Sequence, residues 1–133
     1  MTYLLDTNAC IAYLNRIDTR FLARMQAVSP DDIYLCDIVK FELYYGAYNS
    51  SRPQDNLATL RRFFTEFRSL PFNEAAAERA GYWRLALKRA GNSIGAYDLQ
   101  IAAIALANNL TLVTHNRREF ERIDRLNLDD WEA

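Results

Sequence analysis

A chain of 133 residues leaves room for one domain, and 50% hydrophobic residues are enough for a sizeable core at that length. Sixteen Lys and Arg against 17 Asp and Glu give a formal net charge of -1, which excludes a protein held to nucleic acid by bulk charge. No stretch approaches the roughly 18 uncharged apolar residues of a membrane span, and no basic leader precedes the first apolar run, so the expected compartment is the cytoplasm with no membrane partner. The two cysteines, Cys10 and Cys36, sit apart inside apolar segments and spell out neither a disulfide framework nor a zinc ligand set.

Tyr3-Leu4-Leu5 predicts a short buried strand, and Asp6-Thr7-Asn8 offers capping side chains for a helix through Ala9–Leu14. A second helix is predicted from Thr19 to Val28, stopped by Ser29-Pro30-Asp31-Asp32 ahead of the strand Ile33–Cys36. Val39 to Tyr48 suits a short helix. Pro53 then opens a longer one whose apolar face carries Leu57, Leu60, Phe63, Phe64 and Phe67. Leu70-Pro71-Phe72 is a poor strand because of its proline and belongs at a sheet edge or a strand end.

Asn73 caps a predicted helix from Glu74 to Arg89, with Gly91-Asn92 as its stop. Tyr97-Asp98 begins an alanine-rich helix apolar enough for the middle of the protein, ending at Asn108-Asn109. Leu110–Thr114 is the clearest strand, followed by His115-Asn116 and a helix start at Arg117-Arg118-Glu119-Phe120. This alternation predicts an α/β fold: one domain spanning 1–133, with a mostly parallel sheet of four to five strands sandwiched by helices.

Ligands of open parallel sheets bind beyond the carboxyl ends of the strands. Asp6, Asp37 and Asn116 each follow a strand, Glu42 lies about one helical turn past Asp37, and Asp98 joins them if its helix starts at the same edge. Singly, each is better read as a cap, a turn residue or a solvated helix position. Glu42 between Phe41 and Leu43, and Asp98 ahead of the most hydrophobic helix, shift that balance, because both are expected to be partly buried. Gathered carboxylates repel and lose solvation, so a divalent cation is the economical counter-charge. All-oxygen donors suit Mg2+ or Mn2+, and such sites usually act on phosphate esters.

Leu4-Leu5-Asp6-Thr7-Asn8, Phe41-Glu42-Leu43-Tyr44-Tyr45-Gly46, Tyr97-Asp98-Leu99-Gln100-Ile101-Ala102 and Val113-Thr114-His115-Asn116 resemble the four ordered motifs of PIN-domain nucleases, above all the VapC group of bacterial toxins. The resemblance spans essentially the whole chain. It implies a magnesium-dependent endoribonuclease toxin of a type II toxin-antitoxin system, cutting tRNA or another structured RNA. It further implies inhibition by a VapB-type antitoxin and a homodimer that can enter larger toxin-antitoxin assemblies. Carried over, Asp6, Asp98 and Glu42 are implied metal ligands and, with Asn116, the catalytic set, while Thr7 and Asn8 support Asp6.

Two positions depart from the pattern. Asn116 stands where many relatives carry aspartate, adding no charge, and Glu119 three residues on is a candidate substitute. Asp37 adds a carboxylate where relatives are expected to carry Ser or Thr, and can tune or impair the site.

Arg117, Arg118 and Arg122 are the candidate RNA contacts beside the Asn116 motif. Tyr44, Tyr45 and Tyr48, with the phenylalanines of the next helix, exceed what one face can bury and form the candidate antitoxin surface. An aspartyl-phosphate phosphatase would need a second aspartate at Asn8, a dinucleotide enzyme a glycine-rich turn, and a Ser-His-Asp hydrolase a serine in a nucleophile turn. The remaining alternative is a PIN-like RNA- or antitoxin-binding module with weak or lost catalysis.

Overall fold

A computed structural model describes all 133 residues. Leu4 and Leu5 are fully buried in β1 (Tyr3–Leu5), and at Asp6 the extended backbone turns into α1 (Thr7–Asn15). The turn is held by the Asp6 carboxylate, which accepts from the Ala9 N–H at 2.7 Å. Helix α1 stops at Arg16, a non-glycine residue in the left-handed region at φ 52. Asp18, accepting from the N–H groups of Arg20 and Phe21, starts α2 (Thr19–Ala27). A single 3-10 turn, Pro30–Asp32, leads into β2 (Ile33–Cys36) and α3 (Asp37–Tyr48).

Pro53 at the first helical position opens α4 (Pro53–Phe64), and β3 (Arg68–Leu70) ends just before Pro71. Asn73 caps α5 (Glu74–Arg89), which is followed by α6 (Ala96–Ala107), β4 (Thr111–Val113), α7 (Arg117–Phe120) and β5 (Leu128–Asp129).

The predicted order stands. The third strand lies at Arg68–Leu70 and not at Leu70–Phe72, because Pro71 cannot continue the ladder, and there are two further differences. Helix α4 closes at Phe64, so Phe67 is not part of it. Phe67 keeps the apolar spacing because the chain turns and returns its ring to the same cluster, 5.6 Å from Phe63 and 6.2 Å from Tyr13. The second difference is β5, which the sequence did not announce: two residues, one of them charged, carry no periodicity.

All five strands are parallel, in the order β3-β2-β1-β4-β5. From β1 the chain first builds outward through β2 to β3 and later returns to lay β4 on the other side. The topological switch point, where ligands of such sheets bind, therefore lies between β1 and β4. The Asp6 N–H bonds the Val113 carbonyl across that seam at 3.1 Å. Helix α6 packs behind it with Leu99 and Ile101–Ala105 buried, as its composition predicted.

At the β5 edge, Trp131 is 1% exposed. It packs against Tyr3 and Phe21 at ring distances of 5.1 and 5.7 Å and donates from its indole to Asp129 at 3.0 Å. Arg24 spans the same corner, over the Trp131 ring and 2.7 Å from Asp129. Trp131→Ala is expected to cost about 3–5 kcal/mol by leaving a cavity in this corner. The urea midpoint of unfolding measures it, and a loss under about 1 kcal/mol would show that the corner does not carry the edge.

Candidate active site

Asp6 is a charged residue without a charged partner at the switch point, only 5% exposed. Burial pushes its carboxyl up to about 6, against the lowering effect of the Thr114 hydroxyl and the Ala9 N–H, with the charges of Glu132 and Glu42 adding to the rise. Glu42, in the second turn of α3, is half-buried and held by the Thr7 hydroxyl, which donates to its Oε1 at 2.6 Å. Thr7 thus positions a second carboxylate as well as following the first.

Asp98 stands in the first turn of α6, which leads into β4 and so begins at the same sheet edge. Its carboxyl is also pushed up to about 6, by burial first and then by the charges of Glu119, Glu42 and Asp6. The charges of Glu119, Glu42 and Asp6 therefore all reach Asp98, although no three of these carboxylates bring their oxygens within 4.8 Å of one another. No lysine or arginine forms an ion pair with any of them.

Glu119 is fixed differently. It accepts from the Gly95 N–H at 3.0 Å and from the Asn116 side-chain amide at 2.9 Å. The Gly95 bond is the main reason its carboxyl lies below the usual glutamate value, with Asn116 and Arg122 adding to the effect. Asn116 is anchored from behind, its N–H donating to the Thr114 hydroxyl at 3.0 Å. A Cβ on Gly95 would lie 3.7 Å from Asp98 Oδ2 and 3.9 Å from Glu119 Oε1. The bare glycine thus leaves a cradle open between the two carboxylates.

Other residues flagged by the sequence stand apart. Asn8 is exposed with no side-chain bond, and Asp37 is an exposed first-turn residue of α3 whose charge acts on the Cys36 thiol. There it serves the helix dipole. Among the arginines, Arg117 pairs with Glu121 at 3.4 Å and Arg122 donates to the Ser93 carbonyl at 2.9 Å. Arg118 is exposed and unpaired. Tyr44 is half-buried edge-on against Phe64 at 5.3 Å, whereas Tyr45 and Tyr48 are 65% and 64% exposed on one face of α3.

Thr114, Gly95 and Glu132 were not singled out by the sequence. Thr114 acts through its hydroxyl and Gly95 through its main-chain N–H, in bonds made only in the folded chain. Glu132 belongs to a further group in which His115, Asp130 and Glu132 hold their donor atoms within 4.8 Å of one another. His115 Nδ1 lies 3.0 Å from Asp130, and that contact raises the imidazole above its ordinary pKa. Phe41 and Tyr97, each preceding a cluster carboxylate, meet edge-to-face at 5.2 Å and are about half exposed at its rim.

An all-oxygen group at the carboxyl edge of a parallel sheet defines a class of protein. The family model described as the PIN domain matches residues 3–126, and the chain belongs to that family. It is 34% identical over 131 residues to the tRNA(fMet)-specific endonuclease VapC of Shigella flexneri, covering 98% of both chains. With the ribonuclease VapC2 of Rickettsia felis it shares 34% over 133 residues and 99% of both. The fold also matches the DNA-bound VapBC crystal structure from Salmonella typhimurium, with a TM-score of 0.92 at 34% identity over 98% of each chain. Within the PIN-domain family, the chain is a ribonuclease of the VapC kind. PIN nucleases are metal-dependent, and no helix here is long and apolar enough to cross a membrane.

Proposed function

We propose that the chain is a magnesium-dependent endoribonuclease toxin of a type II toxin-antitoxin system. It acts in the cytoplasm on the phosphodiester bonds of tRNA or another structured RNA and is held inactive by a VapB-type antitoxin. The observation that carries the proposal is the group of carboxylates from Asp6, Glu42, Asp98 and Glu119, half-buried or deeper, none of which forms an ion pair with a lysine or arginine. Gathering these carboxylates, with Asp6 and Asp98 raised to about 6, costs stability at neutral pH, and a divalent counter-charge from outside the chain would offset that cost. Oxygen donors and the open cradle beside Gly95 fit Mg2+, or Mn2+ in its place.

Asp6, Glu42 and Asp98 would hold the ion, with Asn116 and Glu119 completing the catalytic surroundings. When bound, it supplies Lewis acidity toward the phosphate and charge to offset the departing oxygen. The chain's own part is placement. The strand β1 and the cap of α1 fix Asp6, the Thr7 hydroxyl fixes Glu42, and α6 carries Asp98. Arg118, the unpaired arginine beside this edge, is the foremost candidate for drawing an RNA phosphate towards a site of like charge.

The antitoxin surface is assigned to the exposed Tyr45 and Tyr48 with Tyr44 behind them. That assignment rests on their exposure; an antitoxin partner is supported by relatives such as the VapBC complexes of Salmonella typhimurium and Rickettsia felis. A homodimer is assigned on the same family ground. The domain is taken to run from residue 1 to 133, since β5 and Trp131, beyond or at the limit of the family match, pack into the same core.

Cleavage of tRNA by the purified chain with magnesium, and its loss with chelator, tests the proposal. RNA binding without cleavage under any divalent ion would favour a non-catalytic module.

The metal site also predicts a pH signature. Because the Asp6 carboxyl rises from 3.8 to about 6 on folding, the metal-free folded chain binds more protons than the unfolded chain between those values. Its stabilising share is complete below about 4 and is lost as pH rises through about 6, amounting to about 3 kcal/mol for Asp6, with Asp98 adding less because it is more exposed. Magnesium should restore this loss. The increase in unfolding midpoint on adding Mg2+ is expected to be near zero at pH 4.5 and to grow up to pH 7.5. An increase independent of pH would exclude Asp6 and Asp98 as ligands.

A further inference from the structure

The loop that delivers Asp98 is poorly held by its own backbone. Between α5 and α6 the chain runs Ala90-Gly91-Asn92-Ser93-Ile94-Gly95, with Gly91 at φ 71. Asn92 still bonds back to Leu87 at 2.9 Å, but Ser93 and Ile94 make no main-chain to main-chain bond, and Gly95 caps α6 without a side chain. Ile94 packs against the hydrophobic core, and the two hydrogen bonds that tie the stretch down come from the far side of the switch point. Glu119 accepts from the Gly95 N–H, and Arg122 donates to the Ser93 carbonyl at 2.9 Å.

Arg122 lies in the turn after α7, where its N–H bonds the Glu119 carbonyl at 3.3 Å. The turn is rooted in the core by Phe120 and Ile123, each 1% exposed. Arg122 and Glu119 thus form a two-pronged latch from a rigid base onto a loop with few main-chain bonds of its own. Asp98 is three residues past Gly95, and the Leu99 N–H makes the first turn's bond to the Gly95 carbonyl at 2.9 Å. A shift of the loop therefore moves the start of α6 and its carboxylate.

We propose that Arg122 is a positioning residue of the acid site: by holding the Ser93 carbonyl it fixes the N-terminus of α6 and so the place of Asp98 beside Glu119. Arg122 then acts on the ion and not on the RNA, although it lies next to the candidate phosphate contacts. A guanidinium suits this task, because it can hold a carbonyl while its charge remains beside a carboxylate. The inference rests on the proposed metal reading of the cluster.

Titration of the purified chain with Mn2+ by calorimetry, alongside salt-dependent RNA affinity measured in chelator, separates the roles. Arg122→Gln is expected to weaken Mn2+ binding about tenfold, the usual effect of losing a group that orients a ligand. Its slope of log affinity against log salt for RNA should match that of the parent chain. Arg122→Lys, which can still donate to Ser93, should recover part of the Mn2+ affinity and remain folded if the glutamine variant does not. Arg118→Ala should do the reverse, lowering the salt slope by about one with Mn2+ binding intact.

Unchanged Mn2+ affinity in Arg122→Gln would overturn the latch, whether the salt slope falls, as for a phosphate contact, or only the melting temperature does, as for a plain structural bond. Asp98→Asn is the reference. If it abolishes Mn2+ binding while Arg122→Gln does not weaken it, the latch alone fails; if neither affects it, the metal reading fails as well.

Discussion

Asp98→Asn is expected to lower RNA cleavage by on the order of 10^3-fold, about 4 kcal/mol of transition-state stabilisation, while leaving the fold intact. The substitution keeps the size of the side chain and removes the charge that meets Glu119, Glu42 and Asp6. A carboxylate raised to about 6 by burial and by three like charges is under strain from its neighbours in the metal-free chain. Its loss should therefore relieve the fold. At pH 7 without metal, Asp98→Asn is expected to unfold at a higher urea concentration than the parent, by roughly 1–2 kcal/mol after allowance for solvent screening at this partly exposed position.

Magnesium should then stabilise the parent more than the variant. Opposite signs for activity and stability set a metal ligand apart from a residue that merely supports the core, for which both would fall. Cleavage assays and urea titrations on one preparation decide it. Near-parental cleavage by Asp98→Asn would remove Asp98 from the site, and a large loss of metal-free stability would mean that the group is held together by bonds beyond those described.

Tyr48→Asp is expected to weaken antitoxin binding by on the order of 100-fold, in the range lost when a central interface aromatic is removed. Tyr48 is 64% exposed in the free chain, so a carboxylate there meets water and should change stability by only about 0.5 kcal/mol. Within an apolar interface the same charge would have no partner. Tyr45, 65% exposed on the same face, should behave likewise. Tyr44→Asp provides the contrast: its half-buried ring lies against Phe64, so its loss should unsettle α3 against α4.

Calorimetry of each variant with the antitoxin, and sedimentation of each alone, tests the surface. Full antitoxin affinity in a Tyr45→Asp, Tyr48→Asp double variant would dismiss it. Loss of a dimer with antitoxin affinity retained would reassign the tyrosines to contact between copies.

The fold was legible wherever local chemistry and tertiary demand agreed. Asn73 and Gly91-Asn92 bracket α5 because a capping side chain and a positive-φ glycine act within a few residues. Leu4 and Leu5 followed by a polar run gave β1 and the place of Asp6. Where agreement ended, so did the reading. β5 exists because Leu112 and Val113 offer an edge and Trp131 fills a corner, and neither reason is local.

The site divides in the same way. Asp6, Glu42 and Asp98 could be picked out as carboxylates set in apolar surroundings, and the structure joins them electrostatically. Sequence alone could raise Glu119 as a substitute for Asn116 but not the bond between the two, since that depends on how α7 faces the loop before α6. The basic run after Asn116 read as one patch. Folded, its members differ: Arg117 answers Glu121, Arg122 holds Ser93, and Arg118 remains free.

The placement of Asp6 and Glu119 on either side of the β1–β4 seam has a consequence for how the protein is made. β1 finds β2 early in synthesis, but its other neighbour, β4, and the Glu119 turn behind it emerge only after α6. Contacts so distant in sequence form slowly. A nascent chain interrupted anywhere between Asp6 and Glu119 lacks the full set of carboxylates, so on the proposed site it would fold in part without becoming a ribonuclease.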